Sequence, residues 1–435
     1  MKYKEYPKYK DSGVAWIGDI PEHWKPSRIF QKFHFQKNHI IPDKMKNETV
    51  FLYSIPYVQE FGTGEIVKGD SIDSNKFEIS GKEILISKLN PRKSTIVITK
   101  ENKFRIVCST EFIPLVPLDI DLKYGFYLLS SYPIKEFLSS HVNSATKSHQ
   151  RISPEILMHM KYFFPEKPEQ EQIGIFLNKK TTQFDQLIAK SKAQIILLEE
   201  KKQATITQAV TKGLDPSVPM KDSGVEWIGN IPEHWKIEPL KFHVKINERN
   251  LNDNFNDESE IAYIDIGSVH YGGKIDEPEI IQFSDAPSRA RRIIQKNDTI
   301  LSTVRTYLKA IAFVDEENDG KICSTGFAVI SPKKSITPKF LYYLLSSQSY
   351  IDHVMANSVG VGYPAINSSA LGRFPIIIPF NEDKEIIGFL DKKIGQIDYL
   401  ISKIQKQITL LEEKKGALIT AAVTGKIDVR DSVAA

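Results

Sequence analysis

The chain has 435 residues, of which 41% are hydrophobic and 26% charged, with a formal net charge of +4. This length predicts about two to four globular domains, and so small a net charge predicts that any nucleic-acid-binding surface is a local patch and not a basic tail. No apolar run reaches the ~18 residues of a membrane span, and the Lys- and Tyr-rich start lacks the apolar segment of a signal peptide. We therefore expect a cytoplasmic protein with no membrane segment.

The chain is a tandem duplication. A fifteen-residue opening occurs twice, at residues 11–25 and 222–236, with two differences. Leu197–Lys202 repeats as Leu410–Lys415, so the two copies also end alike. The repeat unit is a module of roughly 210 residues, which is too long for a solenoid repeat. Because the sequences diverge between these matching ends, we predict one scaffold that presents two different recognition surfaces.

Each copy starts with a globular part of mixed α/β pattern. Short strand-like runs predict β-strands in both copies, and we match them in pairs: 83–87, 95–99 and 105–107 with 299–303, 310–314 and 327–330. An aromatic segment follows each set, and we predict that both form core helices: Tyr124–Ser131 and Phe340–Ser347. Cys108 and Cys323 stand in matching Cys-Ser-Thr triplets, so we expect core positions for them instead of a disulfide or metal site.

A long charged segment without internal proline ends each copy. It predicts a helix from about 168 to 213, ~65 Å long, and a second helix after residue 381. Apolar residues in both segments follow the 4-3 spacing of a coiled-coil seam. The seam residues are Leu177, Phe184, Ile188, Ile195 and Leu198 in the first helix and Leu390, Ile394, Ile397, Ile401, Ile404, Ile408 and Leu411 in the second.

We expect the two long helices to pack against each other and to hold the globular parts apart. The alternative is that each helix packs on its own domain. The predicted division is a first recognition domain at 1–168, a first spacer helix at 169–215, a second recognition domain at 216–380, and a second spacer helix with the C-terminal tail at 381–435.

Several segments together carry a family resemblance. The repeated openings, Ile84–Pro91, Gly362–Gly372 and the two Leu-Leu-Glu-Glu-Lys-Lys helices resemble a type I restriction-modification specificity subunit along essentially the whole chain. The resemblance implies two mixed α/β target recognition domains and two long antiparallel coiled-coil helices with pseudo-twofold symmetry. It also implies a non-catalytic, cofactor-free and metal-free subunit that binds a split, asymmetric double-stranded DNA target.

The same resemblance implies the partners. They are two methyltransferase subunits and, through them, motor-nuclease subunits, which together form an adenine methyltransferase and ATP-dependent endonuclease complex. The faces around Glu199–Lys202 and Glu412–Lys415 are nearly repeated, and a duplicated surface suits two identical partners.

A search for catalytic motifs agrees with a non-catalytic role. The chain has no Asn/Asp-Pro-Pro-Tyr/Phe motif of aminomethyltransferases and no Gly-x-x-x-x-Gly-Lys-Ser/Thr phosphate-binding loop. His23 and His234 adjoin tryptophans in the repeated openings, which suits packed histidines better than catalytic ones. Two alternatives remain open: a scaffold that binds other proteins without DNA, and a nuclease hidden in the divergent regions.

Sequence-specific DNA binding needs donors for phosphates and planar groups for base edges, and we expect both where the copies differ. The first-domain candidates are Lys88, Asn90, Arg92, Lys93, Thr146, Lys147, Ser148, His149, Gln150 and Arg151. The second-domain candidates are Arg289, Arg291, Arg292, Arg305, Tyr307, Lys309, Tyr271 and Tyr363. For any single charge, the alternative is an ordinary solvated surface residue.

Overall fold

The computed structural model describes residues 3–144, 150–252 and 254–433. The chain divides into two compact units, Met1–Lys192 with Gln405–Ala435, and Ala193–Ile404. Among the described residues, no helix combines the length and the hydropathy needed to cross a membrane.

Two larger sheets and three two-stranded ones form the described globular part of the first unit. Its strands are β1 Tyr9–Asp11, β2 Asp19–Pro21, β3 Lys25–Arg28, β4 Phe33–Phe35, β5 His39–Ile40, β6 Thr49–Tyr53, β7 Glu65–Lys68, β8 Lys76–Ile79, β9 Ile84–Ser87, β10 Ile96–Ile98, β11 Arg105–Ser109, β12 Phe112–Pro117, β13 Asn143–Ser144, β14 Gln150–Arg151 and β15 Lys161–Phe164. Its short helices are α1 Ile29–Lys32, α2 Ile55–Phe61, α3 Leu122–Ser130, α4 Tyr132–Ser140 and α5 Pro154–His159. The strand orders are β10-β9-β12-β4 and β5-β8-β11-β6-β7, and in these sheets only β11 and β6 pair in parallel.

The second unit repeats this topology. After the long helix α6, Lys167–Lys212, its strands are β16 Met220–Asp222, β17 Asn230–Pro232, β18 Lys236–Pro239, β19 Val244–Ile246, β20 Glu260–Ile264, β21 Glu279–Gln282, β22 Ala290–Ile293, β23 Thr299–Ser302, β24 Ile311–Phe313, β25 Ile322–Ser324, β26 Phe327–Pro332 and β27 Pro375–Ile378. Its helices are α7 Pro338–Leu345, α8 Gln348–Ala356 and α9 Ser368–Arg373. The long helix α10, Asp383–Val423, begins in this unit and ends in the first. The sheet orders are β19-β26-β23-β24 and β21-β20-β25-β22, again with one parallel pair, β20 with β25.

The predicted strands are present, but one of the predicted pairings between copies is wrong. Strand β11 matches β25, because each pairs in parallel with an earlier strand, β6 or β20, and antiparallel with a second one, β8 or β22. The run at 327–330 belongs to β26, which matches β12 by its place between two antiparallel neighbours. Strands β11 and β12 of the first copy, like β25 and β26 of the second, are neighbouring short apolar runs. The sequence pattern therefore paired β11 with β26, one strand too far along the chain.

The predicted core positions are confirmed. Helix α3 buries Tyr124 and Leu128, and helix α7 buries Phe340 and Leu344. Cys108 and Cys323 are fully buried free thiols. Burial raises the pKa of both, that of Cys323 to about 12, so neither carries a thiolate at neutral pH.

The repeated openings fix the first turn of the long helices. In the first unit, buried Trp24 donates its indole N–H to Glu169 Oε1 at 3.1 Å, and His23 Nε2 lies 2.8 Å from Glu169 Oε2. In the second unit, Trp235 donates to Glu382 Oε1 at 3.0 Å, and His234 pairs with the same carboxylate. The two histidine side chains are 43% and 39% exposed, so the expectation of packed histidines is wrong: they are partners of a helix-start carboxylate.

The same tryptophans contact the end of the other long helix. In the first unit, a Cβ on Gly425, just after α10, would lie 3.3 Å from Trp24 Cη2. In the second unit, a Cβ on Gly213, just after α6, would lie 3.5 Å from Trp235 Cζ2. Gly213 has φ +73° and Gly425 φ +72°, the left-handed conformation that ends a helix. Each opening therefore joins the start of one helix to the end of the other, which explains why its sequence is repeated.

Within each unit the long helices pair antiparallel. Lys415 Nζ lies 2.6 Å from Asp185 Oδ1 in the first unit, and Lys202 Nζ lies 2.7 Å from Asp398 Oδ1 in the second. These four residues occupy matching positions in the repeat. Their side-chain exposures of 29% for Lys415 and 13% for Lys202 show that both lysines belong to the helix pair, so their expected place on an outer face is wrong.

The apolar 4-3 positions form the least exposed stripe of both helices. Those that are buried are Leu177, Ile188, Leu390, Ile394 and Ile397, and those that are half-buried are Phe184, Ile195, Leu198, Ile401, Ile404, Ile408 and Leu411. Thr181, a polar residue in this stripe, meets the Tyr127 hydroxyl at 2.8 Å. The helix stripe thus packs on the globular part as well as on the other helix, so both expected packing modes occur.

Candidate nucleic-acid interface

The first-domain candidates lie in two segments that the fold brings together. We call residues 88–94 and 150–152 loop pair 1. The N–H of Asn90 donates to the Gln150 carbonyl at 2.7 Å, and the N–H of Ile152 donates to the Lys88 carbonyl at 3.0 Å. Two clusters about sixty residues apart in sequence therefore form one surface.

Most basic side chains of loop pair 1 are open to solvent. Arg92 and Lys93 are exposed, and Lys88 and Asn90 are half-buried. Arg151 is 57% exposed, and its guanidinium lies 3.1 Å from Glu111 Oε1. The candidates Thr146, Lys147, Ser148 and His149 lie outside the described residues.

The second domain builds the same arrangement with other side chains. We call residues 303–309 and 358–366 loop pair 2. The N–H of Arg305 donates to the Pro364 carbonyl at 2.7 Å, and the N–H of Ile366 donates to the Thr303 carbonyl at 2.8 Å. These bonds match those of loop pair 1 one for one, with Arg305 in the place of Asn90. The backbone is therefore repeated where the sequence is not.

Both loop pairs hold non-glycine residues in the left-handed conformation at the two ends of one 3-10 turn. Asn90 and Ser94 have φ of 50° and 48°, and Arg305 and Lys309 have φ of 50° and 52°. Side chains other than Asn and Asp seldom adopt this conformation, which costs on the order of 1–3 kcal/mol. Strain kept at matching places in two divergent domains indicates that the shape of this loop serves a function.

Aromatic rings lie against two basic side chains of loop pair 2. The Arg305 guanidinium lies 4.9 Å from the centre of the Tyr363 ring. Lys309 Nζ lies 5.6 Å from the centre of the Tyr271 ring. Arg305, Tyr307 and Tyr363 are exposed, so all three can meet a partner.

Tyr271, Tyr307 and Lys309 also line a groove of about 760 Å³ beside helix α6. The opposite wall includes Glu199 and Gln203 of that helix. Burial, and then the Glu199 charge, raise the pKa of Tyr271. These three residues therefore connect loop pair 2 to the helix within the second unit.

The three arginines around β22 differ in their surroundings. Arg289 is 58% exposed and lies 3.9 Å from Asp265. Arg291 stacks on Phe283 at 4.7 Å. Arg292 is half-buried, and its guanidinium donates to Asn247 Oδ1 and to the Phe327 carbonyl. Burial lowers the pKa of Arg292, and its interior hydrogen bonds indicate a structural role.

The backbone joins Arg289 to loop pair 2. The N–H of Thr325 donates to the Arg289 carbonyl at 2.8 Å, and the N–H of Thr303 donates to the Gly326 carbonyl at 2.8 Å. One turn thus separates Arg289 from the loop. Arg289 and Arg305 supply cationic donors to the same region of the second unit.

Two residues of loop pair 2 escaped the sequence search because they are apolar. Val359 and Val361 are 81% and 107% exposed at the hairpin that carries Tyr363. The available signal was the alternation Val-Gly-Val-Gly-Tyr at 359–363, in which glycines flank the exposed valine. The DNA-binding candidates were basic, polar or aromatic residues, so Tyr363 was the residue predicted in this segment.

The described residues offer donors and planar groups at these loops, and no group of three or more His, Cys, Asp or Glu among them is placed to hold a metal. The site can supply phosphate contacts from exposed Arg and Lys and base-edge contacts from Asn and Arg. That is the chemistry of a nucleic-acid interface presented twice on one scaffold.

Comparison with known proteins gives the same class. The family model described as type I restriction modification DNA specificity domain matches twice, at residues 21–197 and 232–410. The chain is 25% identical over 424 residues to the type I restriction enzyme MjaVIII specificity subunit of Methanocaldococcus jannaschii, covering 95% of each protein. It is 30% identical over 161 residues to the HindI specificity subunit of Haemophilus influenzae, covering 35% of each.

A solved structure described as the structural basis underlying complex assembly and conformational transition of the type I R-M system has a similar fold. Its TM-score is 0.66 at 16% identity, and the match covers 93% of this chain and 98% of that one. The chain belongs to the type I restriction-modification DNA specificity family. The predicted resemblance and fold class, two mixed α/β domains with two long helices, are confirmed.

Proposed function

We propose that this chain recognises a split, asymmetric duplex DNA target, with loop pair 1 reading one half and loop pair 2 the other. The observation that carries the proposal is the duplicated loop pair: one strained backbone, repeated in both domains, with different side chains mounted on it. A recognition scaffold needs a constant backbone and variable contacts. Packing alone would not explain why Asn90 is replaced by Arg305.

The roles of the side chains follow from their chemistry. Exposed Arg92, Lys93 and Arg289 are suited to phosphates or to guanine edges, and Asn90 is suited to adenine. The Arg305 guanidinium stacks on the Tyr363 ring. This contact orients the plane of the guanidinium and so favours directional hydrogen bonds.

The assembly is proposed on the symmetry of the chain. Two copies of one methyltransferase subunit would bind the exposed, nearly repeated helix faces at Glu199–Lys201 and Glu412–Lys414, and motor-nuclease subunits would join through them. The domain division of 1–168, 169–215, 216–380 and 381–435 belongs to this proposal, with the helices setting the gap between the half-targets. The chain itself would be non-catalytic, and a protein that acts on cellular DNA would work in the cytoplasm.

The test begins by selecting duplexes from a randomised pool with the purified full chain. We expect two fixed sequence blocks separated by a gap of fixed length. Binding should weaken as salt rises, because phosphate contacts release counterions. Each lost base contact should cost about 1–3 kcal/mol.

Paired variants then assign the blocks. Arg92→Ala with Lys93→Ala should relax only one block, and Arg289→Ala with Arg305→Ala should relax only the other. Lys201→Ala with Lys406→Ala removes the same charge from exposed helix positions and should leave both block sequences intact. Loss of preference in both blocks from either loop variant, or no enriched sequence at all, contradicts the proposal.

A further inference from the structure

The tip of loop pair 2 presents apolar side chains to solvent. Val361 is fully exposed, and Val359 and Tyr363 keep 81% and 70% of their surface open. Neighbouring exposed apolar residues at one hairpin tip are typical of a contact surface, whereas single scattered ones are ordinary. Basic side chains nearby do not explain why these apolar side chains are exposed.

The hairpin is held in shape before any partner arrives. Val359 and Ala365 exchange two backbone hydrogen bonds of 2.8 and 2.9 Å. Gly360 has φ +117°, and a Cβ there would lie 3.0 Å from the Tyr363 carbonyl oxygen, so the turn favours glycine. Thr306 Oγ1 lies 2.9 Å from Ser358 Oγ and ties the hairpin to the other half of the loop pair. A preformed tip loses little entropy on binding.

Cationic residues accompany this apolar tip in the same region of the second unit. Arg305 lies over Tyr363, Lys309 belongs to the same loop, and Arg289 is one turn away. An apolar tip beside cationic residues complements duplex DNA, because the cations can meet phosphates while the tip meets base edges. In the major groove, the apolar group on a base edge is the 5-methyl of thymine.

A wedge between base pairs is the competing mode, and the geometry disfavours it. Wedges use long side chains such as Phe, Leu, Ile and Met. Val361 is short, and the larger Tyr363 ring is already covered by Arg305 on one face. We propose that Val361 contacts the 5-methyl group of a thymine in the half-target read by the second domain. This inference rests on the proposed DNA-recognition function.

The test uses the full chain and the duplex selected from the randomised pool. Each thymine of the second block is replaced in turn by deoxyuridine, which removes only the methyl group. One replacement should weaken wild-type binding about fourfold, the equivalent of ~0.8 kcal/mol for one buried methyl group. Val361→Ala should weaken binding to the unmodified duplex by a similar factor and should then bind both duplexes equally.

Ile280→Ala provides the matched control, since this residue of β21 is 62% exposed in the same unit. It should keep both the affinity and the deoxyuridine effect. The inference is overturned if the second block holds no thymine, if no replacement weakens wild-type binding, or if Val361→Ala keeps the fourfold difference. It is also overturned if Val361→Ala weakens binding to the thymine duplex and to the deoxyuridine duplexes by the same factor. If the wild-type chain selects no sequence, the proposed function fails instead.

Discussion

Replacing Glu169, in the first turn of α6, should destabilise the first unit. Its carboxylate is 9% exposed and accepts hydrogen bonds from the Tyr6 hydroxyl at 2.7 Å and from Trp24 at 3.1 Å. Glu169→Ala leaves both buried donors without an acceptor, at about 1–3 kcal/mol each. We expect a loss of about 2–6 kcal/mol. His23 adds little because it is exposed enough for water to replace the carboxylate.

Two variants make this prediction specific. Glu169→Gln keeps a side-chain oxygen for Tyr6 and Trp24, so it should cost less than Glu169→Ala. Glu382→Ala is the matching change in the second unit, where the carboxylate is 31% exposed and accepts from Trp235 and from exposed His234. One buried donor is then lost, and the expected cost is about 1–3 kcal/mol.

The assay is a urea titration read by hydrogen exchange and mass spectrometry, which reports the opening free energy of each unit separately. Glu169→Ala should weaken protection in peptides of the first unit. The reasoning is refuted if Glu169→Ala costs no more than Glu382→Ala, or if Glu169→Gln costs as much as the alanine variant.

Three further outcomes are expected. Burial lowers the pKa of His353, which stacks on Trp227 at 4.6 Å, so the unfolded chain binds this proton at higher pH than the folded one. The neutral His353 side chain therefore contributes to the free energy of unfolding above its unfolded pKa of about 6.5, and this contribution is lost as pH falls. His353→Phe should flatten the pH dependence of second-unit unfolding between about pH 7 and 5. Arg292→Ala should destabilise the second unit by about 1–2 kcal/mol in urea unfolding. Arg289→Ala should change the free energy of unfolding by less than ~0.5 kcal/mol, but it should weaken binding to the selected duplex in a DNA titration. A fragment of residues 1–218 should form a dimer in sedimentation.

The sequence predicts which faces are buried far better than what they are buried against. Heptad spacing identified the stripe that includes Leu177 and Leu390, because periodicity reports one helix face. It could not show that Thr181 would meet Tyr127 of the globular part, since that hydrogen bond depends on tertiary packing. The same limit explains the misaligned strand pair, because strand order is set by sheet pairing and not by local composition.

The candidate site shows a similar division. The basic and aromatic candidates were predicted from local clusters in the parts of the sequence where the two copies differ. The hydrogen bond from the Ile152 N–H to the Lys88 carbonyl joins segments far apart in the chain, and no local sequence pattern encodes it. Arg292 resembles its neighbours in sequence, yet Asn247 and the Phe327 carbonyl turn it inward. Val361 was not predicted, because clusters of basic, polar and aromatic residues do not reveal an apolar contact.

The expected fragment dimer follows from how each core is completed. In the first unit the end of α10 contributes Ile419, Ala422 and Val423 to the hydrophobic core. A fragment ending at residue 218 lacks them. In the second unit the end of α6 contributes Ile206, Ala209 and Val210 to the corresponding core. These are the same residue types at the same spacing, so the end of α6 from a second copy can fill the vacated place.

Such a dimer is symmetric, and each fragment brings one loop pair 1, so it should select an interrupted palindrome built from the first block and its inverted repeat. Polar Thr181 and Ser191 in the α6 stripe should make it looser than the intact chain. Ile206→Asp with Val210→Asp places charges where an apolar surface is needed, and should give an unstable monomer. A stable wild-type monomer with Trp24 still buried would show that the core does not need the helix end. Selection of the full asymmetric target by the fragment would refute the assignment of one half-target to each module.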